Sequence, residues 1–129
     1  DCVSHVGVAL DLTLREVQDK LKEKGQPWEI AKAFDGACPL SSWVPVDQIR
    51  DKNSIQIRLE RNSEMKQDGY SDQMITSIPK LISYISQFFT LQAGDVILTG
   101  TPAGVGPLNS GDILKATLDA RYEFSSKVL

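Results

Sequence analysis

Hydrophobic spacing changes period several times along this chain, and each change marks an element. "VGVALDLT", residues 6 to 13, is a nearly continuous apolar run that reads as a short strand stopping at Asp11. From there Leu14, Val17 and Leu21 recur at intervals of three and four, which predicts a helix burying one stripe. Thr13 and Glu16 fit the S/T-x-x-E capping box at its start. Gly25 is a natural stop, and Pro27 blocks continuation. "PWEIAKAFDGACPLSSWVP" keeps neither period, but it is too apolar for a linker and is expected to pack against the body of the domain. Period two returns in "SIQIRLERN", with Ile55, Ile57 and Leu59 on one face and Gln56, Arg58 and Glu60 on the other. Asn62-Ser63 reads as a hairpin tip, weaker than Asn-Gly, and "EMKQDGYS" as the return strand. The clearest helix comes next. Ser77 stands at its cap, Pro79 suits its first turn, and Ile78, Leu81, Ile82, Ile85, Phe88 and Phe89 form a wide stripe expected to lie against the sheet. "LQAGD" turns into a strand from Val96 to Thr99, and "NSGD" turns into two last strands, about Ile113–Asp119 and Tyr122–Val128. Without repeats or a second core, residues 1–129 read as one α+β domain rich in antiparallel hairpins.

The loop that follows the apolar run in "GDVILTGTPAGVG" has the vocabulary of a phosphate cradle, but not its grammar. Gly106 leads to Pro107 and Leu108 instead of the Lys-Ser/Thr of a P-loop, and no helix opens after it as a dinucleotide loop requires. Two readings remain from the residues alone. The loop is a Pro-stiffened surface connection, or it holds an anionic group through backbone N–H groups and the hydroxyls of Thr99 and Thr101.

Composition narrows the chemistry. Apolar residues make up 41% and charged residues 24%, an ordinary globular balance. A net charge of −3 argues against nucleic-acid or anionic-membrane partners, and no apolar stretch approaches the ~20 residues of a membrane helix. The opening lacks the basic start of a signal peptide. Two cysteines, Cys2 and Cys38, are too few for a disulfide framework; Cys38 reads as a reduced packing thiol, and a reducing compartment such as the cytoplasm fits. The single histidine, His5, sits in a strand as a half-exposed residue and rules out a multi-His zinc site. Any catalysis therefore rests on carboxylates, Lys, Arg and hydroxyls. Asp11 closes an apolar strand, where a carboxylate needs a cation or a donor. Arg15 and Gln18 lie three apart on the next helix and point the same way. Lys32 follows in the apolar "EIAKAF". Such a set suits either a metal with an anionic substrate or merely a solvated face.

"GVALDLTLREVQ", "GQPWEIAKAFDGACPLSSWVP", "DQMITSIPKLISYISQFFTLQAGDVILTGTPAGVGPL" and the Gly-Asp at 111–112 together resemble the fumarylacetoacetate hydrolase family, and its small acylpyruvate hydrolase and oxaloacetate decarboxylase or tautomerase branch most of all. The resemblance covers nearly the whole chain. It departs at His5-Val6, where Gly-Tyr is more usual, and at Ser63, which replaces a hairpin Gly. It implies a mixed, mostly antiparallel β-sandwich or roll with two main helices. It also implies a divalent-metal-dependent enzyme, using Mg²⁺ or Mn²⁺, that hydrolyses, decarboxylates or tautomerises small 2-oxo or β-diketo acids. A hydroxymuconate-type isomerase and a non-enzymatic binding module are the alternatives. By the same resemblance Asp11 is a metal ligand, Lys32 meets the polarised carbonyl or enolate, Arg15 and Gln18 hold the distal part of the substrate, and Thr101 binds the substrate carboxylate. A homodimer, in the cytoplasm or in mitochondria of a eukaryote, would be usual. The family's other two metal carboxylates, a Glu-x-Glu strand, and its His–Glu pair match nothing here. The chain is thus expected to be the C-terminal part of a longer polypeptide and inactive alone.

Overall fold

The alternation at 55–60 becomes the centre of the molecule. The structure, a computed structural model, describes residues 2–129. Its elements run β1 (His5–Val6), α1 (Arg15–Glu23), β2 (Val44–Pro45), β3 (Gln56–Arg61), β4 (Glu64–Tyr70), α2 (Ile78–Ile85), β5 (Ile113–Leu118) and β6 (Tyr122–Lys127). Four strands form an antiparallel sheet in the order β4-β3-β5-β6, and β1 pairs with β2 in a small second sheet. Across the large sheet Ile57 lies opposite Leu118 and Leu59 opposite Ala116, with Tyr122 and Phe124 opposite the same pair on the far side. This face meets Val6, Val8, Val44 and Ile49, so the core is the layer between the two sheets.

Both hairpins close where local chemistry permits. Asn62 and Ser63 take φ of 51° and 66°, the left-handed pair of a type I′ turn. The Asn62 amide also bridges to Asp112 Oδ1 at 2.7 Å and accepts from the Ile113 N–H, tying this turn to the start of β5. α1 ends as expected: Gly25 has φ +60°, its N–H reaches the Lys22 carbonyl, and the Gln26 N–H reaches Leu21, a complete Schellman motif. The "PWEIAKAF…" stretch does pack inward, through Ala31, Ala37 and Val44.

Several expectations are corrected. The strand foreseen over 6–13 is regular only at His5–Val6; beyond it the chain stays extended and bonds to 31–41 through Val8–Ser41, Leu10–Pro39, Leu12–Ala37 and Leu14–Ala31. Thr13 does not cap α1, because its hydroxyl accepts from Lys32 instead. The Leu14–Val17–Leu21 stripe is not buried. α1 leans on the turn Glu29–Ala31, which puts Gln18, 5% exposed, on the inner side and leaves Leu14 and Val17 at the surface. Ser77 stands at the start of α2 without a side-chain cap bond. α2 stops before Phe88 and Phe89, and none of its residues is buried. Its apolar side borders an open cleft of about 400 Å³ shared with Leu91 and Val96–Leu98, not the sheet. Val96–Thr99 forms no regular strand and has no strand partner among the described residues. Cys38 is an exposed free thiol, not a packing one, whereas His5 is an exposed strand residue as foreseen.

Candidate functional site

The ladder between 8–14 and 31–41 sets Lys32 against the residues that follow Leu10. Leu14 donates to the Ala31 carbonyl at 3.0 Å, so Lys32, one residue on, reaches back along the strand end. Its ammonium lies 2.7 Å from Asp11 Oδ1, 2.8 Å from Thr13 Oγ1 and 3.1 Å from the Leu12 carbonyl. With the Asp11 carbonyl at 3.4 Å, four acceptors surround the three N–H bonds of this ammonium. The Lys32 side chain is about a quarter exposed and the Asp11 side chain about half, so the pair opens to solvent on the carboxylate side. At the first position of α1, Arg15 Nη1 donates to Gln18 Oε1 at 2.8 Å. The amide thereby aims the guanidinium, and the remaining guanidinium N–H groups have no side-chain partner among the described residues.

The Thr-Gly-Thr-Pro loop reaches the same region from the other side. Gly100, Thr101 and Pro102 share a small cavity of about 30 Å³ with Val8–Leu10, Ile57, Leu59, Gln67 and Ala116. Gln67 of β4 donates to Thr101 Oγ1 at 2.8 Å and to the Pro102 carbonyl at 2.7 Å. A Cβ at Gly69 would come within 2.7 Å of the Pro102 ring, so that glycine makes room for the proline. Sequence reasoning overlooked Gln67, Gly69 and Thr13. Only the period-two register, which puts 67 and 69 on the core face of a strand otherwise read as polar, could have pointed to them.

The structure therefore brings Asp11 and Lys32 into contact, pairs Arg15 with Gln18, and lays Thr101 near Val8–Leu10, the segment that leads to Asp11. As a metal centre the set is partial. Asp11 offers one hard oxygen ligand, and no group of three His, Cys, Asp or Glu side chains converges among the described residues.

A model of the fumarylacetoacetate (FAA) hydrolase C-terminal family matches residues 1–128. The chain belongs to the fumarylacetoacetate hydrolase family. It is 52% identical over 128 residues to an oxaloacetate tautomerase of Escherichia coli, covering 98% of this chain and 58% of that protein. It is 44% identical, over 99% of this chain and 58% of the relative, to a mitochondrial oxaloacetate tautomerase of Homo sapiens. The fold matches a solved fumarylpyruvate hydrolase of Pseudomonas aeruginosa, in complex with Mn²⁺ and pyruvate, with a TM-score of 0.91 and 38% identity over 98% of this chain and 55% of that one. The chain thus spans less than two thirds of the length of these relatives. The α+β architecture of paired antiparallel sheets with two helices is the family's own.

Proposed function

We propose that this chain belongs to an enzyme acting on small 2-oxo or β-diketo acids, either an oxaloacetate tautomerase or decarboxylase or an acylpyruvate hydrolase. In this reading Asp11 is a metal ligand, Lys32 is catalytic, and Arg15, Gln18 and Thr101 bind the substrate. The observation that carries it is the Lys32–Asp11 contact of 2.7 Å, just before α1. The relatives' names supply the substrate class.

The chemistry fits the placement. Tautomerisation, decarboxylation and C–C hydrolysis beside a ketone all build negative charge on an enolate oxygen. The Lys32 ammonium is held beside Asp11, Leu12 and Thr13, and giving up one of these acceptors frees an N–H for the enolate oxygen, where the positive charge stabilises the transition state more than the substrate. Arg15, aimed by Gln18, suits a distal carboxylate through paired N–H donors. Thr101 adds one hydrogen bond to a carboxylate. Asp11 would hold a bound Mg²⁺ or Mn²⁺ by one oxygen, and the cation would supply further positive charge for the enolate. Its other ligands would come from outside the described residues.

Steady-state kinetics on oxaloacetate and an acylpyruvate, in a protein of the relatives' length and with saturating Mg²⁺, test the assignment. Asp11→Ala is expected to abolish turnover. Lys32→Met lowers kcat, because its ammonium faces charge that exists only during reaction. Thr101→Ala raises KM roughly ten- to hundredfold, the range for losing one hydrogen bond to a charged group. Near-parental kcat for both Asp11→Ala and Lys32→Met overturns the reading and favours a binding module.

A further inference from the structure

Gln67 is placed by the register of the β3–β4 hairpin. Leu59 faces Gln67 and Ile57 faces Gly69, so both positions share the face that carries the core. One residue before Gln67 the register slips, leaving Lys66 without a partner, and Gly104 lies on the Lys66 carbonyl. The loop from Gly100 to Gly104 is thus clamped to β4 on both sides of Gln67.

The two contacts of the Gln67 amide decide the direction of a third. The Pro102 carbonyl, 2.7 Å away, can only accept, so the NH₂ end of the amide must face the loop. The same nitrogen lies 2.8 Å from Thr101 Oγ1, and the hydroxyl is therefore the acceptor in that bond. A hydroxyl whose oxygen already accepts must send its own proton elsewhere. Thr101 is exposed, so that proton points toward whatever occupies the open side of the loop. We propose that Gln67 is a positioning residue that holds Thr101 as a hydrogen-bond donor toward the substrate carboxylate. This deepens, and rests on, the substrate-binding role proposed for Thr101.

Substituting Gln67→Glu reverses the polarity. A carboxylate accepts from the Thr101 hydroxyl, takes its proton away from the substrate and adds a like charge beside it. In a protein of the relatives' length with saturating Mn²⁺, Gln67→Glu raises KM for oxaloacetate about tenfold or more, with kcat within about twofold of the parent. Gln67→Leu, which removes the polar group without adding charge, shifts KM in the same direction by less. Calorimetric Kd values for pyruvate follow KM. The Gln67→Leu effect shrinks to about twofold or less in a Thr101→Val background, because that coupling passes through the hydroxyl, and the Gln67→Glu effect falls to what its added charge alone causes. An unchanged KM and Kd in Gln67→Glu overturns the proposal. So does a Gln67→Leu rise of equal size in the Thr101→Val background, which would mean that Gln67 only anchors the loop through Pro102. If the parent turns over neither oxaloacetate nor an acylpyruvate, the functional reading falls and the pyruvate cycle alone decides the role of Gln67. A parent that does not bind pyruvate overturns both.

Discussion

Two glycines carry the loop that bears Thr101, and they differ in how much they tolerate. A Cβ at Gly69 meets the side chain of Pro102, which can retreat by shifting the loop. A Cβ at Gly104 meets the backbone carbonyl of Lys66, and Gly104 also has φ of +105°, a conformation that L-residues rarely adopt. Gly69→Ala is therefore expected to cost about 1–3 kcal/mol through overpacking, and Gly104→Ala more. Urea midpoints should fall in the order parent, Gly69→Ala, Gly104→Ala, and a parental midpoint for Gly104→Ala would show that the clamp does not exist. Asp112 illustrates a residue that serves the fold alone. The Asn109 N–H and then the Asn62 amide hold its carboxyl below the ordinary value of 3.8. A depressed folded pKa gives stability that is fully present above the unfolded value and is lost as pH falls through the folded one. The melting temperature of the parent should accordingly drop more steeply than that of Asp112→Asn as pH is lowered through and below 3.8, with the two curves converging in strong acid. Parallel curves would mean that Asp112 is not held in this way.

Among the elements, the β3–β4 hairpin has the most room for improvement. Ser63 sits at φ 66° in the second turn position, where a side chain is strained and glycine is not. Ser63→Gly should stabilise the chain by about 0.5–1 kcal/mol, read as a rise in urea midpoint at constant slope; a fall would contradict the turn assignment. This hairpin was legible in the sequence because its determinants are local. Ile57 and Leu59 alternate with Arg58 and Glu60, and Asn62-Ser63 interrupts them. The same holds for Gly25 at the end of α1 and for β5 and β6. What misled was orientation. Leu14, Val17 and Leu21 have helical spacing, but spacing does not say which side meets the body, and docking on Ala31 turned Gln18 inward. Val96–Leu98 is apolar enough for a strand, yet a strand also needs a neighbour, which its own sequence cannot name. For the proposed site, resemblance named Asp11, Lys32, Arg15, Gln18 and Thr101, and the structure sets Lys32 on Asp11 and Arg15 on Gln18. Gln67 was not named, because its contact is to a loop that is distant along the chain.

At the scale of the whole molecule the apolar surface stands out. Phe88 and Phe89 are 66% and 67% exposed, and Tyr84, Val96 and Leu98 add to the same side of the chain. Exposed apolar area of this kind drives association, so the isolated chain should show concentration-dependent light scattering at neutral pH. The double variant Phe88→Ser, Phe89→Ser should reduce that scattering while leaving the melting temperature within a few degrees, since neither ring lies in the core. A large drop in melting temperature would place the two rings in the core after all. The seam between β3 and β5 has a further consequence. Arg61 pairs with Leu114, and the helix and the Thr101 loop hang in an excursion that leaves β4 on one side of β3 and returns as β5 on the other. Closing a longer loop costs little more than closing a moderate one, because the entropy grows only with the logarithm of length. The sheet can therefore carry this excursion without giving up its pairing, and β4 is the wall on which the loop rests. Its amides, tied to the sheet by a few side-chain bonds, are expected to exchange with deuterium through small openings while those of β3 and β5 wait for global unfolding. The segment that would grip the substrate can then rearrange as a subunit of motion, on a frame that stays shut.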